Sequence, residues 1–138
     1  MEKPCLLDTN IVSELFRKSP NPGVIAFIAE RPRLHVSTVL FHELTYGLES
    51  AAPGLKPRLT VFVAGMRERF GQSAISVNLD IAETAGRLRS FEKVAGRVLS
   101  VADSLIAATA VVNDLVLVTR NVKNFAALGL SLVDPFTS

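Results

Sequence analysis

Residues 101–121, VADSLIAATAVVNDLVLVTRN, decide the fold, because they hold a helix, a strand and a polar cluster in immediate succession. Ser100 is a suitable N-cap and predicts a helix that runs to about Asn113. Residues 115–118 are four apolar, partly β-branched residues in a row, a pattern typical of a strand buried on both faces. The polar cluster Thr119-Arg120-Asn121 follows at the end of that strand.

The same arrangement occurs near the N-terminus, where the apolar run 5–7 stops at Asp8 and a helix through Phe16 follows. Turn and capping signals predict a helix that opens at Asn21-Pro22, further helices at 38–50, 55–70, 80–95 and 122–128, and further strands at 34–37, 74–77 and 131–133. Short apolar strands that alternate with helices predict an α/β fold, with a mostly parallel sheet and helices on both of its faces. No repeat or linker interrupts the pattern, so residues 1–138 are expected to form one domain.

The composition excludes several classes of protein. Hydrophobic residues make up 49% and charged residues 20% of the 138 residues, which is too apolar for a disordered chain. No run of about 18 apolar residues lacks a charge, so no membrane span is expected. The apolar run that stops at Asp8 is too short for a secretory signal. The single cysteine, Cys5, excludes an internal disulfide, and we expect a reducing, cytoplasmic setting with Cys5 as a small core residue.

The net charge of +2 conceals an uneven distribution. Residues 54–99 hold eight Lys and Arg against four Asp and Glu, and the rest of the chain holds seven against nine. A basic flank beside an acidic site suits a polyanionic partner. The predicted helix at 80–95 and its end carry Arg87, Arg89, Lys93 and Arg97, which either follow a nucleic-acid backbone or form an ordinary solvated face.

Three acidic residues occupy positions where the pattern favours apolar or capping residues. Asp8 follows a buried strand, and alone it is explained by a helix N-cap, although Thr9 or Asn10 also suits that role. Glu43 lies at or near the apolar face of its helix, where a partly buried boundary residue is the alternative. Asp103 is the only charge between Val98 and Asn113, and at the third position after Ser100 it also suits the helix dipole.

The predicted sheet would place these acids close together in space. In open α/β sheets ligands bind outside the carboxyl ends of the strands, where the clusters after residues 7 and 118 would lie side by side. Clustered carboxylates repel one another, and a hard divalent cation such as Mg²⁺ or Mn²⁺ relieves that repulsion. Thr119 and Asn121 add a hydroxyl and an amide. The chain has no glycine-rich loop with a lysine, so a nucleotide P-loop is excluded, and neither His35 nor His42 has a partner at metal spacing.

Four segments together resemble the PIN-domain ribonucleases, and within them the VapC-like toxins of bacterial type II toxin–antitoxin modules. They are LLDTNIVSEL (6–15), FHELTYGL (41–48), VADSLIAATA (101–110) and VLVTRNVKNF (116–125). They stand in the order and at the spacing of that family and cover almost the whole chain. The resemblance implies a parallel sheet of strand order 3-2-1-4-5 and a Mg²⁺- or Mn²⁺-dependent endoribonuclease that arrests translation or growth.

The resemblance also assigns residues and partners. Asp8, Glu43 and Asp103 would form the acidic, metal-binding site, with Asp8 and Asp103 as direct ligands and Glu43 direct or through water. Asn121 stands where relatives often have a fourth acid, so it would complete the catalytic set as a neutral residue. Asn121 and Thr119 would orient water or the carboxylates, and Asn10 and Thr119 would lie at the substrate. The implied partners are RNA, a second copy of the chain and a small antitoxin whose C-terminal segment covers the acidic groove. Apolar candidates for such docking are Phe41, Val61, Phe62 and Gly65, which core packing explains equally well.

Other functions share parts of this pattern. A non-enzymatic RNA- or protein-binding regulator with an acidic metal pocket is the principal alternative. A receiver-like signalling domain requires an acidic pair after the first strand and an aspartate after the third, whereas Val77-Asn78 stands there. An aspartate-nucleophile phosphatase requires a second aspartate two residues after Asp8, and Asn10 occupies that position.

Overall fold

The computed structural model describes residues 3–137, which form a four-stranded parallel sheet between helices. The strands are β1 (Cys5–Leu7), β2 (Leu34–His35), β3 (Val116–Val118) and β4 (Leu132–Val133). The helices are α1 (Thr9–Phe16), α2 (Pro22–Glu30), α3 (Thr38–Glu49), α4 (Lys56–Phe70), α5 (Leu79–Val94), α6 (Val101–Asn113) and α7 (Val122–Phe125). A 3₁₀ turn, Ala126–Leu128, follows α7 and ends at Gly129, whose φ of 77° favours glycine.

The strand order in space is β2-β1-β3-β4, with every neighbouring pair parallel. The expected strand at 74–77 is wrong as a strand, because Ile75 makes only an isolated parallel bridge to Ser37. That bridge lies beyond β2, so the remaining four strands keep the order that the family resemblance implies. A single polar-flanked bridge at a sheet edge does not supply the continuous ladder that a strand requires.

The sheet is covered on both faces, as the apolar strands predict. Side chains alternate along β1, so Cys5 and Leu7 pack into one core cluster and Leu6 into another. The first cluster joins the sheet to α1, α2, α3 and α4. The second joins it to α6 and α7, while α5 packs on α6 through Ile81 and Ala85. Leu6, the middle residue of β1, is 0% exposed, and Asp8 follows directly after the strand.

The starts of α2 and α6 are set by the expected caps, whereas Asn78 caps α5 in place of the expected Asp80. The side chain of Asn21 accepts the N–H of Gly23 at the start of α2, with Pro22 in the first turn. The side chain of Ser100 accepts the N–H of Asp103 at 3.1 Å at the start of α6. No helix among residues 3–137 has the length and apolar character to cross a membrane.

A cleft of three carboxylates at the strand ends

A cleft of about 540 Å³ opens at the carboxyl ends of β1 and β3. The two strand ends are joined there, since the N–H of Asp8 donates to the carbonyl of Val118 at 2.9 Å. The cleft is lined by Asp8, Thr9, Asn10, Ser13, Glu14, Arg17, Glu43, Asp103 and Asn121. The structure therefore brings together the three acids that are 35 and 60 residues apart along the chain.

Asp8 lies at the floor of the cleft and is only 5% exposed. One carboxylate oxygen accepts the N–H of Thr9 at 2.7 Å, and the other accepts the hydroxyl of Thr119 at 2.8 Å. Burial raises the pKa of Asp8 to about 6, and the nearby negative charges of Asp103 and Glu43 add to the rise, while the two hydrogen bonds oppose it. Asp8 is thus both the N-cap of α1 and the most perturbed acid of the cleft, so the two sequence interpretations are compatible.

Asp103 reaches the cleft from the first turn of α6. It is partly buried, and this burial raises the pKa of its carboxyl, while the hydrogen bond with Ser100 lowers it. The partial positive charge of the helix N-terminus favours an anion at this position. Asp103 therefore stands where the helix accommodates a carboxylate, and it lines the cleft.

Glu43 projects from the middle of α3 and is partly buried. One of its carboxylate oxygens accepts a short hydrogen bond from the hydroxyl of Thr9. The sequence offered Thr9 as a possible cap of α1, but Asp8 makes that cap and the Thr9 hydroxyl links α1 to α3 instead. This contact explains why a charged residue is retained next to the apolar face of α3.

Thr119 links the two strand ends from behind Asp8. Its hydroxyl donates to Asp8 and accepts the N–H of Asn121 at 3.0 Å and the amide of Asn10 at 3.3 Å. Thr119 is 0% exposed and its hydroxyl is turned to Asp8, so its place in substrate binding stays a prediction. In the structure it orients Asp8.

Asn10 and Asn121 form the amide part of the cleft wall. The carbonyl oxygen of Asn10 accepts the N–H of Arg120 at 3.2 Å, which fixes the amide between the two strand ends. Asn121 is exposed and makes no capping bond with its side chain at the start of α7. Both amides therefore lie at the cleft surface, next to the carboxylates.

The donor set of the cleft suits a hard divalent cation. None of the three carboxylates has an ion pair with a lysine or arginine of residues 3–137. Within the same residues, no three carboxylate, imidazole or thiol groups stand close enough to hold an ion by themselves. Mg²⁺ sites in proteins usually keep several waters and use one or two carboxylates.

Sequence reasoning missed Glu14 and Arg17 as residues of the cleft. Both lie on α1 or at its end, and with Asn10 they follow the four- and three-residue spacing of one helix face. That spacing was the available signal, because a helix that begins at the site carries its next two turns along the same wall.

The basic residues around α5 have other contacts. Arg97 pairs with the buried Glu92, and Arg89 donates to the carbonyl of Leu99 at 3.3 Å. Arg89, Lys93 and Arg97 border a separate depression rather than the acidic cleft. Contacts within the chain therefore account for Arg97 and Arg89, and the contact of this group with a nucleic-acid backbone stays a prediction.

A parallel sheet between helices, with acidic residues gathered where β1 and β3 end, defines the PIN class of domain. A family model described as PIN domain matches residues 5–129, and the chain belongs to that family. It is 31% identical over 137 residues to the VapC ribonuclease Y4jK of Sinorhizobium fredii, which covers 95% of this chain and 96% of that protein.

Two solved structures are similar over the same span. The FitAcB crystal structure from Neisseria gonorrhoeae superposes with a TM-score of 0.82 at 28% identity, covering 95% of this chain and 97% of that one. A toxin–antitoxin complex from Klebsiella pneumoniae gives a TM-score of 0.72 at 28% identity, covering 97% and 99%.

Proposed function

We propose that this chain is the toxin of a toxin–antitoxin pair and acts as a divalent-metal-dependent endoribonuclease. The observation that carries the proposal is the cleft that Asp8, Glu43 and Asp103 line together, without an ion pair from the described residues. A relative named a ribonuclease and a similar structure described as a toxin–antitoxin complex support it.

The residues of the cleft divide into two roles. Asp8 and Asp103 would hold the cation directly, and Glu43, tied to the Thr9 hydroxyl, would reach it through water. A Mg²⁺ or Mn²⁺ ion there supplies charge neutralisation at the scissile phosphate and a lowered pKa of water. Thr119 keeps the carboxylate of Asp8 oriented, while the amides of Asn10 and Asn121 can donate to phosphate oxygens at the cleft surface.

The same cleft explains how a protein partner would inhibit the enzyme. A lysine or arginine of an antitoxin segment would relieve the carboxylate repulsion that the metal otherwise relieves. An apolar groove between α1 and α4, lined in part by Leu15, Phe16 and Phe62, offers a place for the apolar part of such a segment. Val61 in this groove is 74% exposed, as expected of a docking surface.

The test is cleavage of a structured, end-labelled RNA by the purified chain, with Mg²⁺ or Mn²⁺ and with a chelator. We expect cleavage to require the metal and to fall by on the order of 100-fold or more in Asp8→Asn and in Asp103→Asn. Asp114→Asn is the matched control, because Asp114 is exposed and pairs with Lys3 away from the cleft. Cleavage that is independent of metal, or equal in all three variants, contradicts the proposal.

The toxin role is tested in cells. Expression of the wild-type chain should arrest growth, and co-expression of a neighbouring small reading frame should restore it. Arrest that persists in Asp103→Asn would contradict a toxin whose effect depends on this cleft.

A further inference from the structure

The lining of the cleft includes a positively charged side chain. Arg17 is the one lysine or arginine among the residues that line the cleft, and its side chain is 65% exposed. It caps the C-terminal end of α1, two turns beyond Asn10. Its place in the cleft is therefore fixed by the same helix that Asp8 starts.

Glu14 anchors this arginine. Glu14 is only 5% exposed, and its two carboxylate oxygens accept the same Nη1 atom of Arg17 at 3.3 and 3.5 Å. One of these oxygens also accepts the N–H of Asn21 at 2.8 Å. The buried carboxylate thus holds both the loop between α1 and α2 and one nitrogen of the guanidinium.

The remaining donors of Arg17 have no partner among residues 3–137. A guanidinium has five N–H donors, and the contacts with Glu14 involve Nη1 alone, so those on Nε and Nη2 are available. Two parallel N–H groups of this kind match the oxygens of a phosphate. Arg97 differs, because its Nε is engaged by Glu92 outside the acidic cleft.

An RNA strand in this cleft needs such a group. The three carboxylates repel the phosphates of the RNA backbone. A metal ion bound by Asp8 and Asp103 neutralises this negative charge for the phosphate beside it, but not for the neighbouring phosphates. We propose that Arg17 binds a phosphate of the RNA strand next to the one that is cleaved, as a substrate-binding residue that Glu14 holds in position. The inference rests on the proposed ribonuclease function.

The experiment measures kcat and KM for RNA cleavage over a range of KCl concentrations. We expect Arg17→Ala to raise KM about tenfold with a smaller change in kcat, because the lost contact is made in both the bound substrate and the transition state. One phosphate contact fewer should reduce the slope of log(kcat/KM) against log[salt] by about 0.7.

Two further variants separate charge from packing. Arg17→Gln keeps a donor for Glu14 but has no charge, so it should lose the same part of the slope as Arg17→Ala, even if the alanine variant folds poorly. Arg17→Lys keeps the charge, so its slope should match wild type while its KM rises because the paired donors are lost. Lys18→Ala, an exposed neighbour that does not line the cleft, should match wild type in KM and slope.

The outcomes distinguish this inference from the proposed function. If wild type does not cleave RNA, the proposed function fails. If wild type cleaves and Arg17→Gln retains its KM and its salt slope, the ribonuclease stands and the role of Arg17 is wrong. A raised KM with an unchanged slope in Arg17→Gln also overturns it, since that result indicates a structural effect on the cleft.

Discussion

Glu92 and Asp8 are both buried carboxylates, and the molecule compensates their burial in different ways. At the end of α5, Glu92 is 2% exposed and is paired with Arg97, whose N–H also donates to the Glu92 carbonyl. At the end of β1, Asp8 is 5% exposed and receives only uncharged donors. A buried carboxylate is costly unless it is paired, so the first region is completed within the chain, and the second depends on a proton or an external cation.

The largest effect that tests this contrast is the loss of the internal pair. Arg97→Ala leaves Glu92 buried without its cation, and we expect the free energy of unfolding to fall by about 2 kcal/mol. This is below the cost for a fully buried pair because the Arg97 side chain is 50% exposed. Urea unfolding followed by circular dichroism measures it. Lys93→Ala, exposed on the same helix, is the control, and an equal loss in both variants would contradict a specific role of the pair.

The second effect concerns the external cation. At a Mg²⁺ or Mn²⁺ concentration ten times the dissociation constant, the wild-type chain should gain about 1.4 kcal/mol of stability, or several degrees in Tm. Asp8→Asn and Asp103→Asn should lose most of this gain, whereas Arg97→Ala should keep it. Thermal melts with and without metal measure the difference. A gain that survives in both cleft variants would place the cation elsewhere.

The third effect is the loss of folding stability that the buried, ionised Asp8 carboxylate causes in the metal-free protein. Its pKa is raised from 3.8 to about 6, so the folded state binds the proton more tightly than the unfolded state does. The penalty is therefore present above about pH 6, shrinks as the pH falls through that value and is gone below about pH 3.8. The shift alone corresponds to about 3 kcal/mol, since one pKa unit is about 1.4 kcal/mol.

Asp8→Asn removes this penalty but loses part of the hydrogen bonding to Thr9 and Thr119. We expect a net stabilisation of about 1 kcal/mol at pH 7.5 without metal, and none at pH 4. Urea unfolding at the two pH values measures it. A variant that is less stable than wild type at pH 7.5 would show that hydrogen bonding outweighs the unpaired charge, and the contrast with Glu92 would weaken.

Only one side of the contrast between Asp8 and Glu92 can be predicted from the sequence. Asp8, Glu43 and Asp103 could be selected because each interrupts an apolar pattern or ends a strand, and parallel strands bring their ends together. The pairing of Arg97 with Glu92 could not be predicted, because the sequence of a charged helix face does not indicate which carboxylate is buried.

The same limit explains the other differences. Strands of three apolar residues were predicted where they are buried on both faces, but 74–77, at the sheet edge, forms only one bridge. The sequence predicts Thr119 at the strand end, but the full burial of its side chain depends on its contacts with Asn10 and Asn121. The contact with Asn10 joins residues 109 positions apart, and local periodicity carries no information about it.

The smallest effect isolates one of the uncharged donors to Asp8. The Thr119 hydroxyl lowers the pKa of Asp8, so Thr119→Val should raise that pKa further, by less than one unit. Thr109→Val is the matched control, because Thr109 is equally buried but its hydroxyl donates to the Leu105 carbonyl within α6. Carboxyl ¹³C titration by NMR measures both variants.

The two threonine variants also bear on the comparison with Glu92. If Thr119→Val raises the pKa of Asp8 and Thr109→Val does not, the hydroxyl stabilises the ionised carboxylate and holds it ready for a cation. If neither variant moves the titration, the neutral donors do not compensate the charge. Asp8 would then be ionised in the metal-free protein only at the expense of stability, and its difference from the arginine-paired Glu92 would be larger than the hydrogen bonds suggest.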